Sequence, residues 1–364
     1  MGRIKTLDEM KTMIRDRTGK RTVFQAARIE DVEPVLERLT SKDPDLWAKE
    51  WSGAAEPYEE QGIGHEAAEH KDEARAAYLM AYTYYAIGRY PVPLSPGKER
   101  SFQKSLELFC KAGRYFDPPL QVLKIPFEEG PITAYLRVPN RSAPNPVVIN
   151  FGGIDSFKAE SHGVDNHLLK AGLGACAMDM PGVGESPIKG STTADRLFTT
   201  VIDYLAQRPD IDANRIGILG RSFGGYWSAK MAFVEPEKLR ASVVWGGGIH
   251  DAFQEKWLRQ STNAESYLMD HEIARARTCG LENLAEMIEF FPKLSLMTQG
   301  WLDKPSCPLL AVNGKDDLQT PIQDLYLLLE HGTPKAARVF PGGHMGQTPQ
   351  TLPTIVSWLA RELA

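Results

Sequence analysis

Along the first third of the chain, apolar residues recur at intervals of three and four, the period of a helix with one buried face. "IEDVEPVLERLT" (29–40) and "EAAEHKDEARAAYLMAYTYYAIGRY" (66–90) both carry that pattern. After the breaker run "PVPLSPG", "GKERSFQKSLELFCKAGRYF" (97–116) carries it again. Residues 1–118 therefore read as a helical N-terminal domain. The stretches Tyr78–Tyr90 and Ser101–Tyr115 look like copies of one helical unit, but two copies are too few for a solenoid.

From Pro119 onward the period shortens. "LQVLKIPF" and "ITAYLRVP" alternate and are joined by "EEGP", which predicts a β-hairpin. Beyond it the apolar runs "PVVINF", "GACAMDM", "RIGILG", "ASVVWG", "PLLAVNG" and "AARVFPG" alternate with helical stretches. Such alternation needs crossover connections and so predicts a mostly parallel sheet covered on both faces. The antiparallel start gives that sheet a mixed edge. Residues 247–306, roughly sixty positions between two of the strands, show no strand pattern and are predicted as a helical insertion, a candidate lid. The expected class is α/β: a doubly wound, mostly parallel sheet over 119–364, preceded by the helical domain.

Composition narrows the picture. With 364 residues, 42% of them hydrophobic and 24% charged, the chain exceeds one ordinary core and reads as a soluble globular protein. Its net charge of -5 gives no reason to expect nucleic acid or an acidic membrane as partner. No apolar run is long enough to cross a bilayer, and "MGRIKTLDEMKTMIRDRTGK" lacks a signal peptide's apolar block, so the expected compartment is the cytoplasm. Cys110, Cys176, Cys279 and Cys307 show no CxxC pairing and are expected as buried thiols. Nothing has metal-ligand spacing, so neither a metal nor a cofactor is expected.

Chemistry concentrates at "GRSFGG". The run "RIGIL" reads as a strand and "GGYWSAKMAF" as a helix, so Ser222 sits at a strand–turn–helix crossing, the context of a G-x-S-x-G nucleophile elbow. Gly220 and Gly224 would remove side chains that clash in so tight a turn. A serine hydroxyl needs a base to take its proton and an acid to orient that base, here in the chain order serine, acid, histidine. "GKDDLQTP" offers Asp316 and Asp317; the spacing to Pro321 favours Asp317. "GGHMG" offers His344, whose preceding glycines free its loop, whereas His331 closes a helix. The oxyanion hole calls for the Phe223 amide and one from the loop after "PVVINF", with Ile154 favoured and Gly153 next. Asp179 in "DMPGVGES" reads as architectural, and Glu185 and Ser186 as turn caps. Trp227, Trp245, Phe253 and Trp257 could line an aromatic pocket or simply fill core. His250 and Asp251 could supply a proton, though capping a helix fits them better.

On "GRSFGG", "GKDDLQTP", "GGHMG" and "DMPGVGES" the chain, from about Leu120 to its end, resembles the α/β-hydrolase fold family. "NFGGIDSFKAES" behind a helical N-terminal domain is similar to the dihydroxypseudooxynicotine hydrolase and fungal polyketide-shortening hydrolase group. That resemblance implies a lid and helical segment enclosing the site, a homodimer, and acyl cleavage of a small aromatic, ketone or ester substrate. In some members the bond cut is carbon–carbon, next to a ketone. The expected function is thus a serine hydrolase working through an acyl-enzyme. A carboxylesterase on small esters needs the same residues, and a noncatalytic binding protein would lack the serine or histidine.

Overall fold

The computed structural model describes residues 5–21, 23–140, 142–262, 267–332 and 335–364. The chain folds as two units, Met1–Leu120 with Glu265–His271, and Gln121–Ala264 with Glu272–Ala364. Part of the expected 247–306 insertion thus groups with the N-terminal helices.

The first unit contains α1 (Leu7–Arg17), α2 (Ile29–Arg38), α3 (Pro44–Ala67), α4 (Lys71–Gly88) and α5 (Pro96–Gly113). Each start has a local cause. Thr6 and Glu9 form a capping box at α1, while Asp43 and Ser95 accept backbone N–H groups just ahead of Pro44 and Pro96. The periodic run 66–90 is not one helix. Glu69 adopts a left-handed φ of 61° and separates α3 from α4, with no glycine there to signal the break. Trp51 centres this unit's core, its ring 5.6 Å from Trp47, 5.9 Å from Phe24 and 6.4 Å from Tyr84. The Asp31 carboxylate accepts the Tyr58 and Tyr84 hydroxyls at 2.7 and 2.6 Å.

In the second unit the order is β1 (Gln121–Ile125), β2 (Ile132–Arg137), β3 (Asn145–Phe151), α6 (His162–Lys170), β4 (Gly174–Met178), α7 (Arg196–Ala206), β5 (Ile211–Arg221), α8 (Phe223–Val234) and β6 (Ala241–Trp245). Then follow α9 (Glu255–Ser261), α10 (His271–Arg277), α11 (Leu284–Phe290), β7 (Leu309–Gly314), α12 (Ile322–Glu330), β8 (Lys335–Phe340) and α13 (Thr351–Glu362). The strands form one sheet ordered β1-β2-β4-β3-β5-β6-β7-β8. β1 pairs antiparallel with β2, β2 pairs antiparallel with β4, and every other pairing is parallel. The mixed edge is therefore where the alternating runs put it. β5 begins at Ile211, earlier than "RIGIL" implies, because Ile211 pairs with Asn145 ahead of a register shift that leaves the polar stretch 212–215 out of the pairing.

The central strands β4, β6 and β7 are buried at every residue, as a parallel sheet covered on both faces requires. On one face Val148, Leu219, Val243 and Leu310 meet Leu168 of α6 and Ile355 and Leu359 of α13. On the other, Phe151 packs 4.7 Å from Phe198 of α7, which lies 5.7 Å from Trp227 of α8. β3 is where the winding reverses, with β4 on one side and β5 on the other. The crevice for a ligand in such a sheet lies at the carboxyl ends of those strands.

Cys176 and Cys307 are buried, as expected, but Cys110 on α5 and Cys279 in the turn after α10 are half-buried. Among the described residues no helix is long and apolar enough to cross a membrane, and no cluster of three or more His, Cys, Asp or Glu could hold a metal.

Candidate active site

Ser222 stands between β5 and α8 with φ 56° and ψ −127°, a left-handed-side conformation that a residue with a Cβ rarely adopts. The neighbouring glycines make the turn possible. A Cβ on Gly220 would lie 2.1 Å from the Gly224 carbonyl oxygen, and one on Gly224 would lie 2.4 Å from that of Gly152. The Ser222 amide donates to the Trp245 carbonyl at 2.7 Å, tying the turn to β6.

Two loops at the carboxyl ends of later strands reach this serine. Asp317, after β7, is buried, and Asp316 beside it is exposed, so the spacing to Pro321 selected the enclosed carboxylate. His344, after β8, has its Nδ1 2.8 Å from Asp317 Oδ2 and its Nε2 2.7 Å from Ser222 Oγ. An ionised carboxylate can only accept, so the proton belongs on Nδ1, leaving the Nε2 lone pair for the Ser222 hydroxyl. Burial alone would raise the Asp317 carboxyl. The His344 ring and the amides of Gln319 and Thr320 outweigh that and hold it below the ordinary carboxylate value.

The sequence did not mark the residues that hold the histidine loop. Asn313, buried at the end of β7, uses its side-chain oxygen to accept the amides of Gly314 and Met345 at 2.8 and 3.1 Å. A polar residue closing an apolar strand was the available signal. Trp245 donates its indole N–H to the Met345 carbonyl at 2.6 Å and belongs to the core beneath that loop. Met345 takes a φ of 67° between them.

The loop after β3 lies against the serine. A Cβ on Gly153 would sit 2.8 Å from Ser222 Cβ and 3.2 Å from the Phe223 nitrogen. Among the described residues no protein group accepts the amides of Phe223, Gly153 or Ile154. Ile154 itself is buried. Behind this loop Lys158 is enclosed with Asp179 at 2.7 Å and Glu185 at 2.6 Å. Burial would pull the ammonium down, but the two carboxylates hold it above its usual value. Asp179 also accepts the amides of Lys158 and Glu185, so it locks the loops after β3 and β4 together. Glu185 is thus an ion-pair partner rather than a turn cap, because the lysine that reaches it comes from a distant loop. The Ser186 hydroxyl donates to the Ile188 carbonyl.

Of the suggested pocket residues, Phe253 joins a ring cluster at the serine, 6.0 Å from Phe223, 5.1 Å from Tyr226 and 6.1 Å from Phe291. Trp227 has no exposed surface and fills core under α8, so it lines nothing open to solvent. Trp257 donates to the Gln319 carbonyl on the acid loop. His250 shares Nδ1 with Ser295 Oγ at 2.7 Å, and neither it nor Asp251 hydrogen-bonds to Ser222, His344 or Asp317. Nor do these two cap the turn they begin. Buried Asp324 does so from α12, accepting the amides of Ile249, His250, Asp251 and Ala252.

Among known proteins, residues 34–364 match the family model described as "Esterase FrsA-like". Esterase FrsA of Vibrio vulnificus is 29% identical over 326 residues, 87% of this chain and 76% of that one. The 2,6-dihydropseudooxynicotine hydrolase of Paenarthrobacter nicotinovorans is 30% identical over 203 residues, 55% of each chain. The crystal structure of the 2,6-dihydroxy-pseudo-oxynicotine hydrolase superposes with a TM-score of 0.78 at 22% identity, covering 98% of this chain and 95% of that one. At that identity the likeness establishes the fold, and it is the α/β-hydrolase fold expected from the motifs.

Proposed function

The chain belongs to the esterase FrsA-like family, whose members are α/β-hydrolase enzymes, and from that premise we propose that it is a serine hydrolase using Ser222, His344 and Asp317. The observation that carries this reading is the unbroken chain of hydrogen bonds from Asp317 through His344 to Ser222. His344 Nε2 takes the hydroxyl proton as Ser222 Oγ attacks a carbonyl carbon, and the Asp317 carboxylate stabilises the imidazolium formed. The developing oxyanion rests against the Phe223 amide and one amide of the Gly153–Ile154 pair, with α8 directing its amino-terminal dipole there. His344 then protonates the leaving group and later activates the water that frees the acyl-enzyme. Residues 247–306 supply Phe253 and Phe291 to the rings around Phe223, which fits a small aromatic or apolar acyl substrate.

Cleavage of a carbon–carbon bond is a second reading, favoured by the relative named as a pseudooxynicotine hydrolase. It needs a substrate that stabilises the departing carbanion as an enol, because Ser222 has only His344 as a side-chain hydrogen-bond partner among the described residues. Parallel assays on matched esters and aryl ketones separate the two. A homodimer in the cytoplasm belongs to the same proposal, and sedimentation equilibrium tests its first half. The central test is a fluorophosphonate probe followed by peptide mapping. Label at Ser222, lost in Ser222→Ala, is the expected result; an unlabelled, folded protein would sink the mechanism.

A further inference from the structure

Arg275 on α10 keeps only 6% of its surface exposed. One terminal nitrogen donates to Ser261 Oγ at 2.8 Å and the other to the Ala252 carbonyl at 3.0 Å. The guanidinium carbon lies 5.3 Å from the centre of the Phe291 ring. No carboxylate faces it among the described residues. Among the described residues the acidic group that acts on it is the Cys279 thiol, which burial pushes up to about 11 and so keeps neutral at physiological pH. Burial also pulls the Arg275 guanidinium down to about 10, which leaves it charged in the same range.

An enclosed full charge is costly unless a charge of opposite sign pairs with it. A hydroxyl and a carbonyl could be bridged as well by a neutral donor, so tying α10 to Ser261 and Ala252 does not explain why the group is charged. Those bonds also use only two of its N–H groups, leaving donors on a planar fork suited to a carboxylate. Its position is equally specific. Phe291 lies 6.0 Å from Phe223, the residue after Ser222. The carbonyl of Thr278, just beyond α10, accepts the Gly190 amide in the loop after β4. Arg275 is therefore anchored over the carboxyl rim of the sheet, one ring away from the residue beside the nucleophile.

We infer that Arg275 binds the carboxylate of an anionic substrate whose reactive carbonyl is presented to Ser222. The inference rests on the serine-hydrolase reading of that site and adds the substrate's charge. It is tested on the full chain with paired 4-nitrophenyl esters of equal length, the hemisuccinate, hemiglutarate and hemiadipate against their uncharged alkanoate counterparts. Binding of succinate, glutarate and adipate is measured beside them by calorimetry, a readout that needs no turnover. The expected result is a kcat/KM preference for one anionic ester of about tenfold or more, the scale of one charge-assisted pair. That preference and the dicarboxylate affinity fall in Arg275→Gln and are partly kept in Arg275→Lys. If neutral esters are hydrolysed with no preference at any length and no dicarboxylate binds, the inference is wrong while the hydrolase reading stands. If Ser222 is not labelled and neither ester turns over, the hydrolase reading fails, and calorimetry still decides whether Arg275 holds a carboxylate. Should Arg275→Gln fail to fold, Arg275→Lys decides: an undiminished preference and dicarboxylate affinity in that variant would overturn the assignment to Arg275.

Discussion

At Ser222 function and local stability oppose each other. Its φ of 56° stores strain of about 1–3 kcal/mol, released only if the Cβ is lost. Ser222→Ala keeps the strain and removes the proposed nucleophile. Its kcat is expected to fall at least about 10⁴-fold with little change in melting temperature. Ser222→Gly is expected to be equally inactive yet more stable by about 1 kcal/mol, read from paired urea melts. A glycine variant less stable than the alanine variant would contradict the strain. Gly153 answers to a different constraint, the approach of two loops. A Cβ there would press on Ser222 Cβ at 2.8 Å and crowd the Phe223 nitrogen. Gly153→Ala is expected to lower kcat by about 10²-fold, the scale of one lost oxyanion donor, in a protein that still melts cooperatively. Retained kcat would remove the loop from the oxyanion site.

Between elements, the elbow is where β5, α8 and the loop after β3 come within backbone contact. Gly224 allows it, since a Cβ would stand 2.4 Å from the Gly152 carbonyl oxygen, and main chain cannot swing aside like a flexible side chain. Gly224→Ala is expected to cost about 1–3 kcal/mol in urea unfolding and to reduce activity with it, because the shift passes to Gly153. A neutral substitution would show that α8 has slack against β3. The capping of the Asp251–Phe253 turn by Asp324 follows the same logic across a longer span. Burial raises that carboxyl, while four amides from the turn after β6 partly offset the rise.

Across the whole molecule, Asp165 links stability to pH. Burial pushes its carboxyl up to about 7, against the pull of the Asn150 hydrogen bond and of Arg221 and Arg137. Between the unfolded value near 4 and that folded value, the native state holds a proton that the unfolded chain has released. Stability therefore declines as pH rises through this window and levels off above it. Asp165→Asn cannot ionise, so its stability relative to wild type is expected to increase from about pH 5 to about pH 8 in urea midpoints. A difference independent of pH would mean that the guanidinium groups keep Asp165 ionised throughout.

Much of this protein could be read from local pattern. Every strand from "LQVLKIPF" to "AARVFPG" was visible: β4, β6 and β7, buried throughout, are almost continuously apolar, and β1 at the hairpin edge alternates. Ser222, Asp317 and His344 were singled out from turn chemistry and order along the chain, and His344 lies within hydrogen-bond distance of the other two. The break at Glu69, the Asp324 cap, the Lys158–Asp179–Glu185 cluster and the buried Arg275 were not visible. A charged residue in a linear sequence looks solvated. Whether it is buried, and which group satisfies it, depends on segments scores of residues away, which are brought to its side only when the sheet closes.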